Sequence, residues 1–263
     1  MYAFTYERPA TAADAQKLAQ AGGKLLAGGQ TLLASMKLRL AAPEQLVDLG
    51  AIADLKGIRR EAGTLTIGAM TRHCEVAESA EVRNDIPALA QLASHIGDKQ
   101  VRAMGTIGGS VANNDPAADY PAALLALGAT VHTSKRQIKA DDYFQGLFAT
   151  ALEDGELITA ISFPIPKRAA YVKFAQPASR FALIGVFVAQ SDAGVRVAVT
   201  GAGNGVFRHA GMEAALAKQF SADAVAAVKT DEAEMSGDLH GSAAYRAHLV
   251  GVMTQRAVAQ ALA

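Results

Sequence analysis

Gly105-Thr106-Ile107-Gly108-Gly109-Ser110-Val111-Ala112-Asn113-Asn114-Asp115-Pro116 is the stretch on which the reading of this chain turns. It answers an earlier glycine pair in Leu26-Ala27-Gly28-Gly29-Gln30-Thr31-Leu32-Leu33. Glycine lets the backbone come close to a ligand and take dihedrals closed to other residues, so successive N–H groups can converge on an anion. Two such loops predict one extended, doubly charged group held by main-chain amides from two sides, as a dinucleotide pyrophosphate would be. Neither loop runs into Gly-Lys-Ser/Thr, which argues against a P-loop.

The rest of the chain bounds the alternatives. Its 263 residues suit one large or two to three small domains. Lysine and arginine number 25, as do aspartate and glutamate, so no electrostatic footprint for nucleic acid or anionic membrane is present. No apolar run is long enough for an integral membrane segment, and Glu7 and Arg8 interrupt the start where a secretory signal needs an apolar core. Cys74 is the only cysteine, which excludes an internal disulfide and a cysteine-ligated iron–sulfur cluster within this polypeptide. A cytoplasmic protein is expected.

Local patterns predict a helix after a Thr11 cap, a short strand Lys24 to Ala27 running into the first glycine loop, and a strand Leu46 to Leu49. Hairpins follow: Ile58 to Glu61 and Leu65 to Ala69 about Ala62-Gly63, then Ala129 to Thr133 about Ser134-Lys135-Arg136. Val76 to Ala93 reads as helix, restarted at Pro87. Asp115-Pro116 reads as a helix start with Asp115 as cap, which places Asp119 one turn in, its carboxylate either accepting from ligand hydroxyls or solvated on the helix surface. Pro164-Ile165-Pro166 is the expected domain boundary. Beyond it come a hairpin, Phe181 to Ala189 and Val195 to Thr200, and helices from Ala210, Ser221 and Ser242. Gly201-Ala202-Gly203-Asn204-Gly205 mimics a Rossmann fingerprint, but the third glycine position holds Val206 and the strand before it is a hairpin arm, so these glycines are read as a turn. His73, Cys74 and His95 have no metal-ligand spacing.

These motifs coincide with a known family. Ala27 to Leu33, Lys37-Leu38-Arg39-Leu40, Leu46 to Leu49, Ile67 to Thr71, Val101-Arg102 with Gly105 to Ser110, Asp115 to Asp119 and Asp238 to Arg246 together resemble the FAD-binding medium subunit of molybdenum hydroxylases, the carbon monoxide dehydrogenase type above all. The resemblance implies an α+β chain: a vanillyl-alcohol-oxidase-type FAD-binding domain in two lobes (residues 1–55 and 56–166) and a small C-terminal α+β domain (167–263). It implies that Leu26, Ala27, Gly28, Gly29, Gln30, Thr31, Leu32 and Leu33 line the dinucleotide with Gly105, Thr106, Gly108, Gly109 and Ser110. Asn113 and Asp119 would bond to phosphate or ribityl groups. Ile96 and Gly97 would lie against the isoalloxazine, with Leu157, Ile158 and Lys173 at its margin. No residue of this chain is then a catalytic acid, base or nucleophile. A large molybdenum-binding subunit and a small subunit with [2Fe–2S] clusters are the implied partners, in a dimer of heterotrimers. Arg180 stands where the family commonly has an aspartate, and the acidic or hydroxyl side chain often found near Asn114 is also replaced. The competing expectations are a flavin-free scaffold subunit and a free-standing flavin oxidoreductase.

Overall fold

The computed structural model describes residues 1–263. Its first unit is a parallel sheet. Strand β1 (Thr5–Glu7) leads to helix α1 (Ala12–Gln20), then β2 (Lys24–Leu26), α2 (Leu32–Lys37) and β3 (Gln45–Asp48), in the order β1-β3-β2. Both pairings are parallel, which requires each connection to cross over, and the two helices supply the crossovers. The Thr11 hydroxyl caps α1 by accepting from Asp14 N–H at 3.1 Å, which sets Ala15 against Val47, Leu49, Ile52 and Leu55. Helix α2 and strand β1 were not expected. β1 is exposed along its whole length and carries no alternation to read.

The second unit is built on an antiparallel five-stranded sheet. Its members are β4 (Ile58–Glu61), β5 (Thr64–Gly68), β6 (Thr130–Thr133), β7 (Gln137–Lys139) and β8 (Ile158–Pro164), ordered β4-β5-β8-β6-β7. Ala62 and Gly63 both take positive φ (44° and 79°), the geometry a two-residue hairpin turn needs to match strand twist. Between β5 and β6 run α3 (His73–Glu78), α4 (Ala80–Asp85), α5 (Pro87–Ser94), α6 (Lys99–Met104), α7 (Ile107–Asn113) and α8 (Tyr120–Leu127). Pro87 restarts the chain as α5, as expected, and Ser79 adds an unexpected break by capping α4.

Two expectations here are corrected. The second glycine "loop" is largely helix: Thr106 is the N-cap of α7, and Gly108 and Gly109 lie in its first turn. Asp115 does not cap a helix. Its carboxylate accepts from Ala117 N–H at 2.8 Å in a local turn, and α8 begins only at Tyr120, with Pro121 in its first turn. Asp119 is therefore the residue before α8, not one turn inside it. Every residue of α8 is buried, and α9 (Ala140–Tyr143) follows β7.

The third unit is an antiparallel sheet, β12-β11-β10-β9, made of β9 (Arg168–Ala175), β10 (Ala182–Ser191), β11 (Gly194–Thr200) and β12 (Phe207–Arg208). Along β10 the faces alternate. Phe187 and Ala189 join the core shared with α8, whereas Ile184, Val186 and Val188 pack under α10 (Ala210–Lys218), α11 (Ala222–Ala226) and α12 (Ala243–Leu262). A strand covered on both sides reads as one continuous apolar run, and β10 does. The Rossmann mimic is settled: β11 is paired antiparallel on both sides, and a Cβ at Gly201 (φ +81°) would fall 2.4 Å from the Ala182 carbonyl oxygen. Arg246 of α12 is buried and donates to the carbonyls of Leu183 and Gly201 and to Asp238, fixing the helix to the sheet.

Candidate functional site

The two glycine segments meet main chain to main chain. A Cβ at Gly28 would lie 2.2 Å from the carbonyl oxygen of Met104 and 2.6 Å from the Cα of Gly105. One at Gly108 would lie 2.5 Å from the Ala69 side chain, and one at Gly109 3.3 Å from the Ala27 Cβ. Gly105 leaves no room either, because a Cβ would come 2.6 Å from Nε2 of His73. Glycine is required here so that two backbones can touch.

The segments divide the work unequally. From Gly28 through Leu32 no backbone N–H donates to any group of the chain, although Leu33 N–H already closes a turn on Gly29 O at 3.0 Å. Gly29 takes φ +70°, which turns the run. The result is a row of unspent donors in a half-buried bend, the arrangement that binds anions. In the second segment most donors are taken: Gly105 by Val101 O, Ile107 by Thr71 O, Gly108 by Ala69 O and Ser110 by Thr106 O. Gly109 N–H reaches the Thr106 hydroxyl at 3.2 Å. That segment is the wall, with Thr106 N–H as its free donor. Ser110 and Asn113, one turn apart, share a half-buried face of α7. Thr106→Ala is expected to cost about 1 kcal/mol by removing the cap, and Thr106→Ser to restore it, read as urea midpoints.

Helix α6 joins this bend to a second feature. Its last residue touches Gly28, and Arg102, a half-turn earlier, opens into a cavity of about 470 Å³ that also meets His95, Gly97, Lys173, Gln176 and Arg180. Six residues of α-helix span about 9 Å, so α6 sets the cavity and the bend within one short helix of each other. Arg102 Nη1 donates to the carbonyls of Ile96 and Gly97 at 3.0 and 3.1 Å, and Gly97 takes φ +49°. Burial, helped by the nearby Lys173, holds the His95 imidazole below its usual pKa, so the ring is neutral at pH 7.

Beneath the cavity lies a buried ion pair. Lys173 Nζ sits 3.0 Å from the Asp119 carboxylate and donates to His95 O at 3.2 Å. The Tyr171 hydroxyl donates to the same carboxylate. Burial raises the Asp119 carboxyl above the ordinary range, against the pull of Lys173 and Tyr171. Asp119 thus spends its oxygens on protein donors. Leu157 is buried in the core under α1 and β3, against which Ala27 also packs, and Ile158 in the core of the five-stranded sheet. Ile96 is half-buried against that same core. Sequence reasoning missed Arg102, His95 and Tyr171 as parts of the site. Tyr171 had a signal, because it lies two residues from Lys173 and a strand puts both on one face.

Residues 2–166 match the family described as the FAD binding domain in molybdopterin dehydrogenase. This chain belongs to the FAD-binding medium subunits of the molybdenum hydroxylases. It is 38% identical to the carbon monoxide dehydrogenase medium chain of Afipia carboxidovorans, over 99% of this chain and 97% of that one. It is 32% identical to the glyceraldehyde dehydrogenase medium chain of Sulfolobus acidocaldarius, over 97% and 96%. A solved structure of Cu,Mo-CO dehydrogenase in its cyanide-inactivated form superposes with a TM-score of 0.91 at 36% identity, covering 99% of this chain and 98% of the other. As a medium subunit of this family the chain has its α+β units and FAD-binding fold accounted for over almost its full length. No helix is long and apolar enough to cross a membrane.

Proposed function

We propose that this chain carries electrons through a bound FAD, from the iron–sulfur clusters of a small partner subunit to a terminal acceptor, within an enzyme whose large subunit holds molybdenum. The observation that carries the reading is a row of free main-chain donors at Gly28 to Leu32, tied through α6 to the cavity at Gly97 and Lys173. The residues fit the group: donors without side chains suit a pyrophosphate, and the cavity suits a planar ring. When bound, FAD supplies exchange between single-electron and two-electron carriers. The chain's own residues bind, orient and set charge. Ala27 to Leu33, with Thr106, Gly109 and Ser110, grip the phosphates. Asn113 would bond to phosphate or ribityl groups. Ile96 and Gly97 flank the ring, and Lys173 is held at its margin by Asp119, which acts as a positioning residue.

The relatives named above are medium chains of enzymes named for different substrates, carbon monoxide and glyceraldehyde. That supports placing substrate choice on another polypeptide. With Cys74 as its only cysteine the chain needs a partner to carry clusters. We read the assembly as a cytoplasmic dimer of heterotrimers. We also read the three sheets as marking the two FAD lobes, 1–55 and 56–166, and the C-terminal domain, 167–263. The visible spectrum of the purified chain tests the central point: stoichiometric FAD released on denaturation is expected. A folded, colourless chain that refuses added FAD would leave the scaffold reading in its place.

A further inference from the structure

The cavity is lopsided in charge. Three cations line it, Arg102, Lys173 and Arg180, and no carboxylate does. Lys173 is neutralised from below by Asp119, but neither arginine has a carboxylate within 4.0 Å. Arg102 uses Nη1 on two backbone carbonyls, and Arg180 reaches only Gly97 O, at 3.4 Å. Most of their ten N–H donors therefore find no acceptor in the chain. Arg180 is moreover held at φ +61°, a left-handed conformation that costs an ordinary residue about 1 kcal/mol. The turn from Gln176 to Phe181 imposes it through Arg180 N–H to Gln176 O and Gln176 N–H to Phe181 O, at 2.8 and 2.9 Å. The consequence is that an exposed guanidinium is turned back over the cavity mouth, beside Arg102, instead of out into water.

We propose that this paired-arginine mouth binds an anionic electron acceptor and favours it over neutral and cationic ones. The proposal rests on the FAD reading and deepens it by naming the class of acceptor: a soluble molecule bearing at least two negative charges, as phosphate or carboxylate groups. Two guanidinium forks at the entrance of a low-dielectric cleft raise the local concentration of such an anion and orient it at the cofactor's margin. A cation meets the same field as a barrier.

Acceptors of opposite charge test this on the FAD-loaded full chain, photoreduced without oxygen. Each reduced cofactor gives two electrons to two ferricyanide ions, which become ferrocyanide, and releases its protons to solvent. A water-soluble ferrocenium salt takes the same two electrons as a cation. Arg180→Asn removes the charge with a residue that tolerates the left-handed backbone, and Arg180→Lys keeps the charge. Arg59→Gln, on an exposed strand face, makes the same change in net charge elsewhere. The expected result is that Arg180→Asn slows ferricyanide by about tenfold, leaves or speeds ferrocenium, and loses this contrast at high salt. Arg180→Lys and Arg59→Gln should move either rate by less than about twofold.

Binding of redox-inert hexacyanocobaltate(III), followed by calorimetry on the oxidised chain, gives an equilibrium reading of the same site. Its affinity should fall with Arg180→Asn and with Arg102→Gln. Equal slowing of both acceptors, or unchanged hexacyanocobaltate affinity in Arg180→Asn, overturns the proposal. So does a change confined to FAD affinity or potential, which would show that the arginines serve the cofactor alone. A chain that takes up no FAD instead defeats the proposed function, and hexacyanocobaltate binding by the wild type and Arg180→Asn then decides by itself whether the anion site exists.

Discussion

Gly28→Ala is expected to weaken FAD binding by about 10- to 100-fold in a chain that still folds. The added methyl would sit 2.2 Å from Met104 O and 2.6 Å from the Cα of Gly105, and both obstacles are backbone. No rotamer relieves such a clash. The bend must lift away from α6, and the row of N–H groups that follows Gly28 loses its common focus. Overpacking of this kind costs about 1–3 kcal/mol, which is the origin of the fold-change. Gly22→Ala is the informative comparison. Gly22 has φ +100° but nothing within 4 Å of a would-be Cβ, so its penalty is local backbone strain with no route to the site. FAD titration by fluorescence quenching, with circular dichroism as the check on folding, separates the two variants. Equal FAD affinity in Gly28→Ala and wild type would mean that the phosphates are held elsewhere.

Lys173→Met is expected to destabilise the FAD-free chain by about 3–5 kcal/mol, because it strands the Asp119 carboxylate in the interior. Only Tyr171 would remain to it. The pH dependence gives the test its sign. Burial already raises the Asp119 carboxyl in the wild type, and losing Lys173 raises it further. A carboxyl with a raised native pKa binds protons better folded than unfolded, so its contribution to stability is best in acid and declines as pH rises through the native value. The Lys173→Met deficit should therefore be smallest near pH 4 and grow toward neutrality, followed by urea melts. Adding Asp119→Asn should recover most of the loss and flatten the pH dependence. A deficit that does not vary with pH would point to lost packing of the lysine stem.

What the sequence revealed, and what it hid, follows from where each element's information resides. The β4–β5 hairpin was legible because Ala62-Gly63 carries its own turn geometry. The caps at Thr11, Ser221 and Ser242 were legible because the hydroxyl that announces each helix also bonds to it. Strand β9 was not, since Arg168 and Lys173 interrupt its apolar run and only the ion pair with Asp119 explains a lysine turned inward. Helix α7 was hidden more deeply. Glycines at 108 and 109 are poor helix formers, and what demands them is the proximity of Ala69, Thr106 and Ala27, which is invisible before the chain folds. The same holds for Asp115, whose cap signature was genuine but was spent on a local turn. The close approach of the glycines was announced by their spacing, whereas Arg102 acquires meaning only from the cavity it meets and Tyr171 from the buried carboxylate of Asp119.

The phosphate grip proposed for the glycine bend contains no group that titrates. The donors between Gly28 and Leu32 are peptide N–H groups, with only the Thr31 hydroxyl and the Gln30 amide beside them, and the wall opposite is helix backbone and a threonine hydroxyl. A holder built from lysines or histidines would loosen as those side chains lose protons. This one has no such dependence. Retention of the cofactor's charged bridge should stay level with pH near neutrality for as long as the chain remains folded, and pH dependence of electron delivery is expected instead at the cavity, where His95 stands.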